Sequence, residues 1–208
     1  MKLIGSTTSP YVRKVRVYLV EIGAPYEFSV VDAWKPEPSL LQIAPIGKVP
    51  VLLRDAGEPL YESSLIIEYL DSLQPVTKRL IPAEGEARWQ VLRLQALASG
   101  MIDATATRTV ESRKPTPTQS QVVLDRELGR IDRVLATFEK LAKPGQTIAG
   151  GAVMTTADLM LGVALQYLDF RHTPEWRKAA PRLAEWFRPM AQRASFADTL
   201  PPGFTPPT

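Results

Sequence analysis

The chain has 208 residues, 45% hydrophobic and 23% charged, the proportions of an ordinary globular protein with one large domain or two small ones. It contains no cysteine and a single histidine, which excludes disulfides, a thiol nucleophile and sulfur-ligated zinc or iron. The net charge of +3 comes from Lys and Arg residues scattered along the chain, which argues against a nucleic-acid-binding protein.

We expect neither a targeting segment, nor a membrane span, nor a metal site. The apolar run after Met1 and Lys2 is too short for a signal peptide, and no window of about 18 apolar residues occurs. A metal cage would consist mostly of carboxylates, because His172 is the one histidine and lies in a break between helical patterns. We interpret His172 as a surface residue and predict a cytoplasmic protein without membrane contact.

The first third of the chain alternates strand and helix patterns. Strands are predicted over Lys2–Gly5, Tyr26–Val31 and Val49–Leu53, with a fourth in the stretch EPLYES at 58–63 after a hairpin turn at 55–57. Helices are predicted over Val12–Ile22 and Ser63–Leu73. These elements form a small α/β domain at residues 1–76, followed by a linker over residues 76–85.

The remainder of the chain, residues 86–208, is predicted to be an all-helical domain. Its helical patterns cover Glu86–Arg113, with a candidate bend at Gly100, then Leu124–Phe138, Ala157–Leu168 and Leu183–Met190. The pattern over 157–168 is apolar almost all round, which is typical of a buried helix. The Pro-rich tail at 200–208 is predicted to be non-helical. The cleft between two such domains is a usual place for a ligand.

Pro50 interrupts KVPVLL, a stretch that otherwise reads as an interior strand, where proline is out of place. A cis Val49–Pro50 bond would turn the chain and leave the Val49 N–H and C=O free to pair with an extended peptide. A trans proline on an edge strand explains the same residues equally well. Both alternatives remain open.

Two predicted helices begin at polar side chains. Ser9 precedes Pro10 and is expected to be an N-cap, with its hydroxyl at the positive end of the helix dipole. Ser63 is expected to cap a helix starting at Ser64, whose free N–H groups suit a carboxylate while Glu62 suits an ammonium. A purely structural role for these caps is equally consistent with the sequence.

Four stretches in this order resemble the glutathione S-transferase family, over essentially the whole chain. They are TSPYVRKVRVYL at 8–19, the loop APIGKVP at 44–50, LYESSLIIEYL at 60–70 and TTADLMLGVAL at 155–165. The first turn is most similar to a bacterial group related to the omega, beta and zeta classes. The resemblance implies an α+β protein with a thioredoxin-like N-terminal domain and an all-α C-terminal domain, and a homodimer formed across the third helix and the long helical pair.

The resemblance also implies roles for individual residues, with glutathione as co-substrate. Ser9 would hold the thiol, and the Val49 backbone beside Pro50 would pair with the cysteinyl part. Glu62 and Ser63 would bind the γ-glutamyl end. The residues that the resemblance assigns to glutathione binding are Ser9, Lys35, Val49, Pro50, Glu62 and Ser63. Among them, Lys35 would lie near the glycine carboxylate. Thr155 and Asp158 fit an N-capping box, which is a folding element.

Omega and beta classes carry a cysteine in the first turn, whereas this chain has Ser9. The resemblance therefore implies an activated thiolate that attacks a hydrophobic electrophile, rather than a mixed disulfide. Thr7, Thr8 and Tyr11 are alternative activating hydroxyls, and isomerisation of the zeta type stays open. An electrophile site would be lined by Tyr11, Met101, Ala104, Thr105 and Arg108. The basic residues Arg13, Lys14 and Arg16 are interpreted as a solvated face that biases the site toward anions.

A second hypothesis is a catalytically silent binding module, like the starvation-response proteins of this fold that contact RNA polymerase. Those proteins lack a workable glutathione site. Ser9, Val49–Pro50 and Glu62–Ser63 are all present in this chain. We therefore favour the enzyme, with no nucleic-acid partner.

Overall fold

The computed structural model describes residues 1–35, 37–172 and 176–207. The chain divides into two units: Met1–Arg79 together with Arg193–Phe204, and Leu80–Gln192 together with residues 205–207. The predicted division into 1–76 and 86–208 differs chiefly in the segment 193–204, which packs with the first unit. Thr208, the last residue of the predicted helical domain, lies outside the described residues.

The first unit is built around a small mixed sheet. Its elements are β1 (Lys2–Gly5), α1 (Pro10–Glu21), β2 (Glu27–Val30), α2 (Pro38–Ile43), β3 (Val51–Leu53) and α3 (Ser63–Ser72). The strand order is β2-β1-β3, with β1 parallel to β2 and antiparallel to β3. A parallel pair needs a crossover, and α1 supplies it.

The predicted fourth strand is wrong. Leu60 forms only an isolated antiparallel bridge with Leu52, through N–H···O bonds of 2.8 and 2.9 Å. Pro59 has no N–H to donate, and Glu62 already belongs to the start of α3. The pairing therefore cannot extend in either direction.

Helix α1 is held against α3 by a buried polar contact as well as by apolar packing. Val12, Val15 and Leu19 are fully buried, as the predicted apolar stripe requires. The Tyr18 hydroxyl donates to the Asp71 carboxylate of α3 at 2.8 Å, with both side chains buried. Burial and this hydrogen bond raise the pKa of Tyr18. Tyr18 is therefore a neutral donor that fixes the two helices to each other.

The second unit is helical. Its elements are α4 (Gly85–Ser112), α5 (Gln121–Leu141), α6 (Thr156–Arg171), α7 (Trp176–Ala179) and α8 (Pro181–Ala191). Every residue of α6 from Thr156 to Leu168 is buried, which confirms the predicted central helix. Helix α4 continues without interruption through Gly100.

The predicted capping box of α6 is confirmed. The Thr155 N–H and hydroxyl donate to Asp158 Oδ2 at 2.8 and 2.6 Å, and the Ile148 N–H donates to Oδ1 at 2.6 Å. Asp158 is fully buried, so its charge is satisfied by these donors. The carboxylate thus fixes the start of α6 and the loop before it.

The C-terminal segment returns to α1 of the first unit. It contains the short helix α9 (Ala194–Ala197), which the sequence did not predict. Arg193 and Ser195 both bond to the Glu21 carboxylate, and the Arg13 guanidinium donates to the Phe196 carbonyl at 3.0 Å. The stretch 200–207 is non-helical, as predicted.

Among the described residues, none of the helices has the length and apolar character needed to cross a membrane. The described part of the chain likewise contains no group of three or more His, Asp or Glu side chains that could hold a metal ion.

Candidate functional site

Ser9 caps α1, which confirms its predicted structural role. Its backbone is extended, with φ −77° and ψ 124°, and Pro10 takes the first helical position. The Ser9 hydroxyl oxygen accepts a hydrogen bond from the Val12 N–H at 3.3 Å. A hydroxyl has one proton to donate and two acceptor positions, so this bond leaves the Ser9 proton for another acceptor. Ser9 is half-buried, whereas the neighbouring Thr8 is exposed.

The Val49–Pro50 peptide bond is cis, which decides between the two alternatives for this loop. Pro50 is buried immediately before β3, and Val49 is half-buried. The pairing of the Val49 backbone with a peptide ligand stays a prediction.

The start of α3 differs from the prediction by one residue. The helix begins at Ser63, and Glu62 is the N-cap. Glu62 Oε1 accepts from the N–H groups of Ser64 and Leu65, both at 3.0 Å. The prediction of Ser63 as the N-cap is therefore wrong, because the longer Glu62 side chain reaches those donors from an extended backbone. Glu62 already satisfies two N–H groups that were expected to face a ligand carboxylate.

The interpretation of Arg13 and Lys14 as a solvated face is also wrong. They are 4% and 1% exposed, and only Arg16 of the three basic residues is half-buried. Lys14 Nζ lies 3.1 Å from Ser63 Oγ and 3.2 Å from Ser64 Oγ. Lys14 and Tyr18 are four residues apart and so lie on one helix face, the face that meets α3. This placement puts the buried ammonium group of Lys14 in contact with the first residues of α3.

Sequence reasoning missed Lys14, although one signal was available. Val12, Val15, Val17, Tyr18 and Leu19 are all apolar or aromatic, which is too many for a single stripe on one helix face. A helix with apolar residues on so much of its surface is buried on more than one side. Charged residues on such a helix are therefore expected to be buried as well.

Lys35 is exposed in the segment before α2, where its N–H donates to the Asp32 carbonyl at 3.2 Å. The following residue, Pro36, lies outside the described residues. The assignment of Lys35 to a glycine carboxylate stays a prediction.

In the second unit, the residues predicted to contact an electrophile lie on successive turns of α4. Met101 and Thr105 are buried, and the Thr105 hydroxyl donates to the Met101 carbonyl at 2.7 Å. Arg108 is half-buried. Tyr11, which belongs to the first unit, is half-buried on α1. These assignments stay predictions.

Arg108 contacts His172, which is half-buried rather than at the surface. Arg108 Nη1 lies 2.9 Å from His172 Nδ1. A guanidinium has no acceptor, so Nδ1 accepts this bond and the ring proton resides on Nε2, 3.4 Å from the Thr105 carbonyl. Burial, followed by the charge of Arg108, lowers the pKa of His172. His172 is thus held in its neutral form.

Comparison with known family models assigns both parts of the chain. Residues 3–79 match the model "Glutathione S-transferase, N-terminal domain", and residues 121–188 match "Glutathione S-transferase, C-terminal domain". The three-stranded mixed sheet and the helical unit agree with this assignment. The expected thioredoxin-like domain followed by an all-α domain is confirmed.

Individual relatives cover between 77% and 97% of the chain. The uncharacterized GST-like protein YibF of Escherichia coli K12 is 34% identical over 203 residues, covering 97% of this chain and 99% of that protein. A glutathione S-transferase of Pseudomonas putida F1 is 32% identical over 77% of this chain and 71% of its own length. A crystal structure of a glutathione S-transferase from Methylobacillus flagellatus KT, with GSH bound, has a TM-score of 0.89 and 36% identity, covering 96% of this chain and 98% of its own. The chain therefore belongs to the glutathione S-transferase family.

Proposed function

We propose that the protein binds glutathione and stabilises its thiolate at Ser9 for attack on a hydrophobic electrophile. The observation that carries this proposal is the Ser9 hydroxyl, which caps α1 while keeping its own proton for a ligand. The solved relative from Methylobacillus flagellatus, similar over nearly the whole chain, contains GSH. Glutathione is thus the ligand whose thiol we assign to Ser9.

In this proposal the remaining parts of glutathione occupy the first unit. The cysteinyl backbone pairs with Val49, whose position is set by the cis bond to Pro50. The γ-glutamyl end lies at the start of α3, with its ammonium at Glu62 and its carboxylate at Ser63. Lys35 is the proposed partner of the glycine carboxylate. Each of these segments belongs to the first unit.

The energetic demand on Ser9 is modest. A free thiol has a pKa of about 8.5, and lowering it by about two units requires roughly 2.7 kcal/mol of preference for the thiolate. A hydrogen bond to a charged group contributes about 1.5–3 kcal/mol. A helix N-terminus adds about 0.3–1 kcal/mol, and up to about 2 kcal/mol when it is partly buried. The Ser9 hydroxyl and the start of α1 can together supply this preference, whereas the dipole alone falls short of it.

The reaction we assign is nucleophilic attack by the glutathione sulfur. The thiol proton is released to solvent, and a carbon–sulfur bond forms to the electrophile. With an aryl halide the halide departs with the bonding electron pair. With an enone the alkene electron pair moves toward the carbonyl oxygen, and a proton from water completes the addition. Ser9 holds the sulfur as an anion until the bond forms. Tyr11, Met101, Thr105 and Arg108 remain the residues we propose for the electrophile.

We further propose a homodimer in the cytoplasm, where glutathione is a principal thiol. Large apolar side chains are exposed on two of the helices expected at the dimer interface: Leu65 on α3 is 48% exposed and Trp89 on α4 is 63% exposed. Sedimentation velocity would test the dimer, because a monomeric chain at micromolar concentration would contradict it.

Steady-state conjugation assays test the enzyme against the silent binding module. A panel of aryl halides and enones is offered with glutathione, and turnover above the uncatalysed rate is measured. We expect saturation in glutathione with at least one electrophile, and a loss of turnover in Ser9→Ala but not in Thr8→Ala. Glutathione binding without turnover on any electrophile would favour the binding module.

A further inference from the structure

Lys14 is a buried cation that the thiol chemistry leaves unassigned. It enters from α1, is 1% exposed, and reaches the hydroxyl oxygens of Ser63 and Ser64 at 3.1 and 3.2 Å. We propose that Lys14 is a positioning residue that makes the start of α3 selective for a carboxylate at the γ-glutamyl end of the ligand. This inference rests on the proposed function, because it concerns how glutathione is recognised.

The contact with Lys14 fixes the direction of the hydroxyl protons of Ser63 and Ser64. An ammonium group has three donors and no acceptor, so Ser63 Oγ and Ser64 Oγ must accept from Lys14. Their own protons must then point away from Nζ. Two hydroxyl donors are thereby fixed, and a group that accepts without donating is favoured at that position. A carboxylate fits this requirement because both of its oxygens accept hydrogen bonds. A carboxamide fits less well, because its NH₂ group is a donor and would face a hydroxyl donor.

The start of α3 combines a helix dipole that attracts anions with the negative charge of Glu62. A helix N-terminus attracts anions through its unsatisfied N–H groups and its dipole. Here Glu62 occupies the N–H groups of Ser64 and Leu65 and brings a negative charge to the same place. A second carboxylate would be repelled by Glu62 unless a cation lies nearby. Lys14 is the cation that contacts both serines. Its positive charge therefore offsets the repulsion between Glu62 and a ligand carboxylate.

The ammonium group of Lys14 lies in buried surroundings. Lys14 is buried between α1 and α3, where water screens charge much less than at the surface. Of the two hydroxyls it orients, that of Ser64 belongs to the more exposed residue, since Ser64 is half-buried and Ser63 is 1% exposed. The effect of the Lys14 charge is therefore passed to a ligand through oriented hydroxyl groups rather than by direct contact.

The test compares two ligands rather than one. Binding of glutathione, and of an analogue in which the γ-glutamyl α-carboxylate is a carboxamide, is measured by calorimetry on the parent protein and on Lys14→Met. We expect the parent to prefer glutathione by about ten- to a hundredfold, the range for hydrogen bonds to a charged group. In Lys14→Met the preference should fall by about tenfold. KM for glutathione should rise with little change in kcat, since Ser9 is untouched.

Arg13→Met is the matched control. It removes the other buried cation of α1, whose guanidinium donates to the Phe196 carbonyl and the Thr199 hydroxyl of the C-terminal segment. Arg13→Met should lower the melting temperature while leaving the ratio of the two affinities as in the parent. Ser64→Ala is a second variant that keeps Lys14 and should reduce the ratio by about two- to tenfold.

The outcomes separate the two proposals. If the parent does not bind glutathione, the proposed function fails and this inference fails with it. If the parent binds but Lys14→Met weakens both ligands equally, Lys14 is only structural and the inference alone is overturned. If Lys14→Met does not fold, an unchanged ratio in Ser64→Ala would overturn the inference in its place.

Discussion

Lys14 Nζ lies 3.1 Å from Ser63 Oγ, and this contact joins the helix that begins after Ser9 to the helix that begins at Ser63. The two helix starts are the positions we assign to the thiol and to the γ-glutamyl end of glutathione. Tyr18 and Asp71 join the same two helices one turn further along α1. The spacing between the two helix starts is therefore fixed before any ligand binds, which is the arrangement that preorganised binding requires.

Glu62 has two separable roles, and two substitutions distinguish them. Glu62→Gln keeps an oxygen that accepts from the Ser64 and Leu65 N–H groups. It loses the negative charge that we propose binds the ammonium group of the ligand. We expect about a tenfold or greater loss of glutathione affinity with little change in stability. Glu62→Ala should show the same loss and also cost about 1 kcal/mol of unfolding free energy. Calorimetry and urea unfolding measure the two effects, and full affinity in Glu62→Gln would contradict the assignment.

Asp158 should matter for stability and not for the ligand. Its buried carboxylate accepts from the Ile148 N–H and from the Thr155 N–H and hydroxyl. Asp158→Ala leaves these donors without their acceptor, so we expect a loss of about 2–4 kcal/mol in unfolding free energy. Thr155→Ala is the milder comparison, because it removes only the hydroxyl. Glutathione affinity of the folded fraction should be unchanged, and a selective loss of affinity would show that Asp158 does more than cap α6.

The C-terminal segment should stabilise the first unit. A chain ending at Gln192 lacks the Phe196 carbonyl that Arg13 contacts and the Arg193 partner of Glu21. The buried Arg13 cation would lose two acceptors, the Phe196 carbonyl and the Thr199 hydroxyl, so we expect about 3–5 kcal/mol less unfolding free energy. A chain ending at Phe204 is the control and should remain near the parent. Equal stability of the two truncated chains in urea would refute this role.

The single histidine gives a pH prediction for the second unit. Burial and Arg108 lower the pKa of His172 below its ordinary value of 6.5 in the folded protein. Below that value the unfolded chain binds more protons than the folded one, so the stability contributed by neutral His172 is complete above pH 6.5 and is lost as the pH falls. His172→Gln should therefore show a weaker loss of stability than the parent between about pH 6.5 and pH 5.

NMR can follow the imidazole directly, because no other histidine resonance occurs in the chain. A titration midpoint at or above the ordinary value in the folded protein would contradict the contact with Arg108.

Local signals predicted the parts of the site that depend on local chemistry. Ser9 before Pro10 marks a helix start, and Thr155 with Asp158 marks a capping box; both were confirmed because the bonds involved span three residues. The sequence leaves the isomer of the Val49–Pro50 bond open, because a cis bond and a trans proline on an edge strand both fit the residues, and the structure has the bond in the cis form. The sequence predicts Ser63 as the cap because serine is a favoured N-cap residue, whereas the structure has Glu62 in that position.

The partners of Lys14 could not be derived from its neighbours in sequence, although the widely apolar pattern of α1 indicates that the residue is buried. Its partners, Ser63 and Ser64, lie 49 and 50 residues away, so the contact exists only once α1 packs on α3. The same reason explains the segment 193–204, whose contacts with Arg13 and Glu21 span more than 170 residues. Tertiary packing decided these features, and a pattern within one helix does not contain that information.

Activation of the thiol by Ser9 is tested most directly by an ultraviolet titration of the glutathione thiolate bound to the purified protein. We expect a bound thiol with a pKa about two units below the free value of about 8.5 in the parent. In Ser9→Ala that shift should largely disappear and turnover should fall about ten- to a hundredfold, in line with the loss of one charged hydrogen bond. An unshifted pKa in the parent, or an equal shift in Ser9→Ala, would contradict activation of the thiol by Ser9.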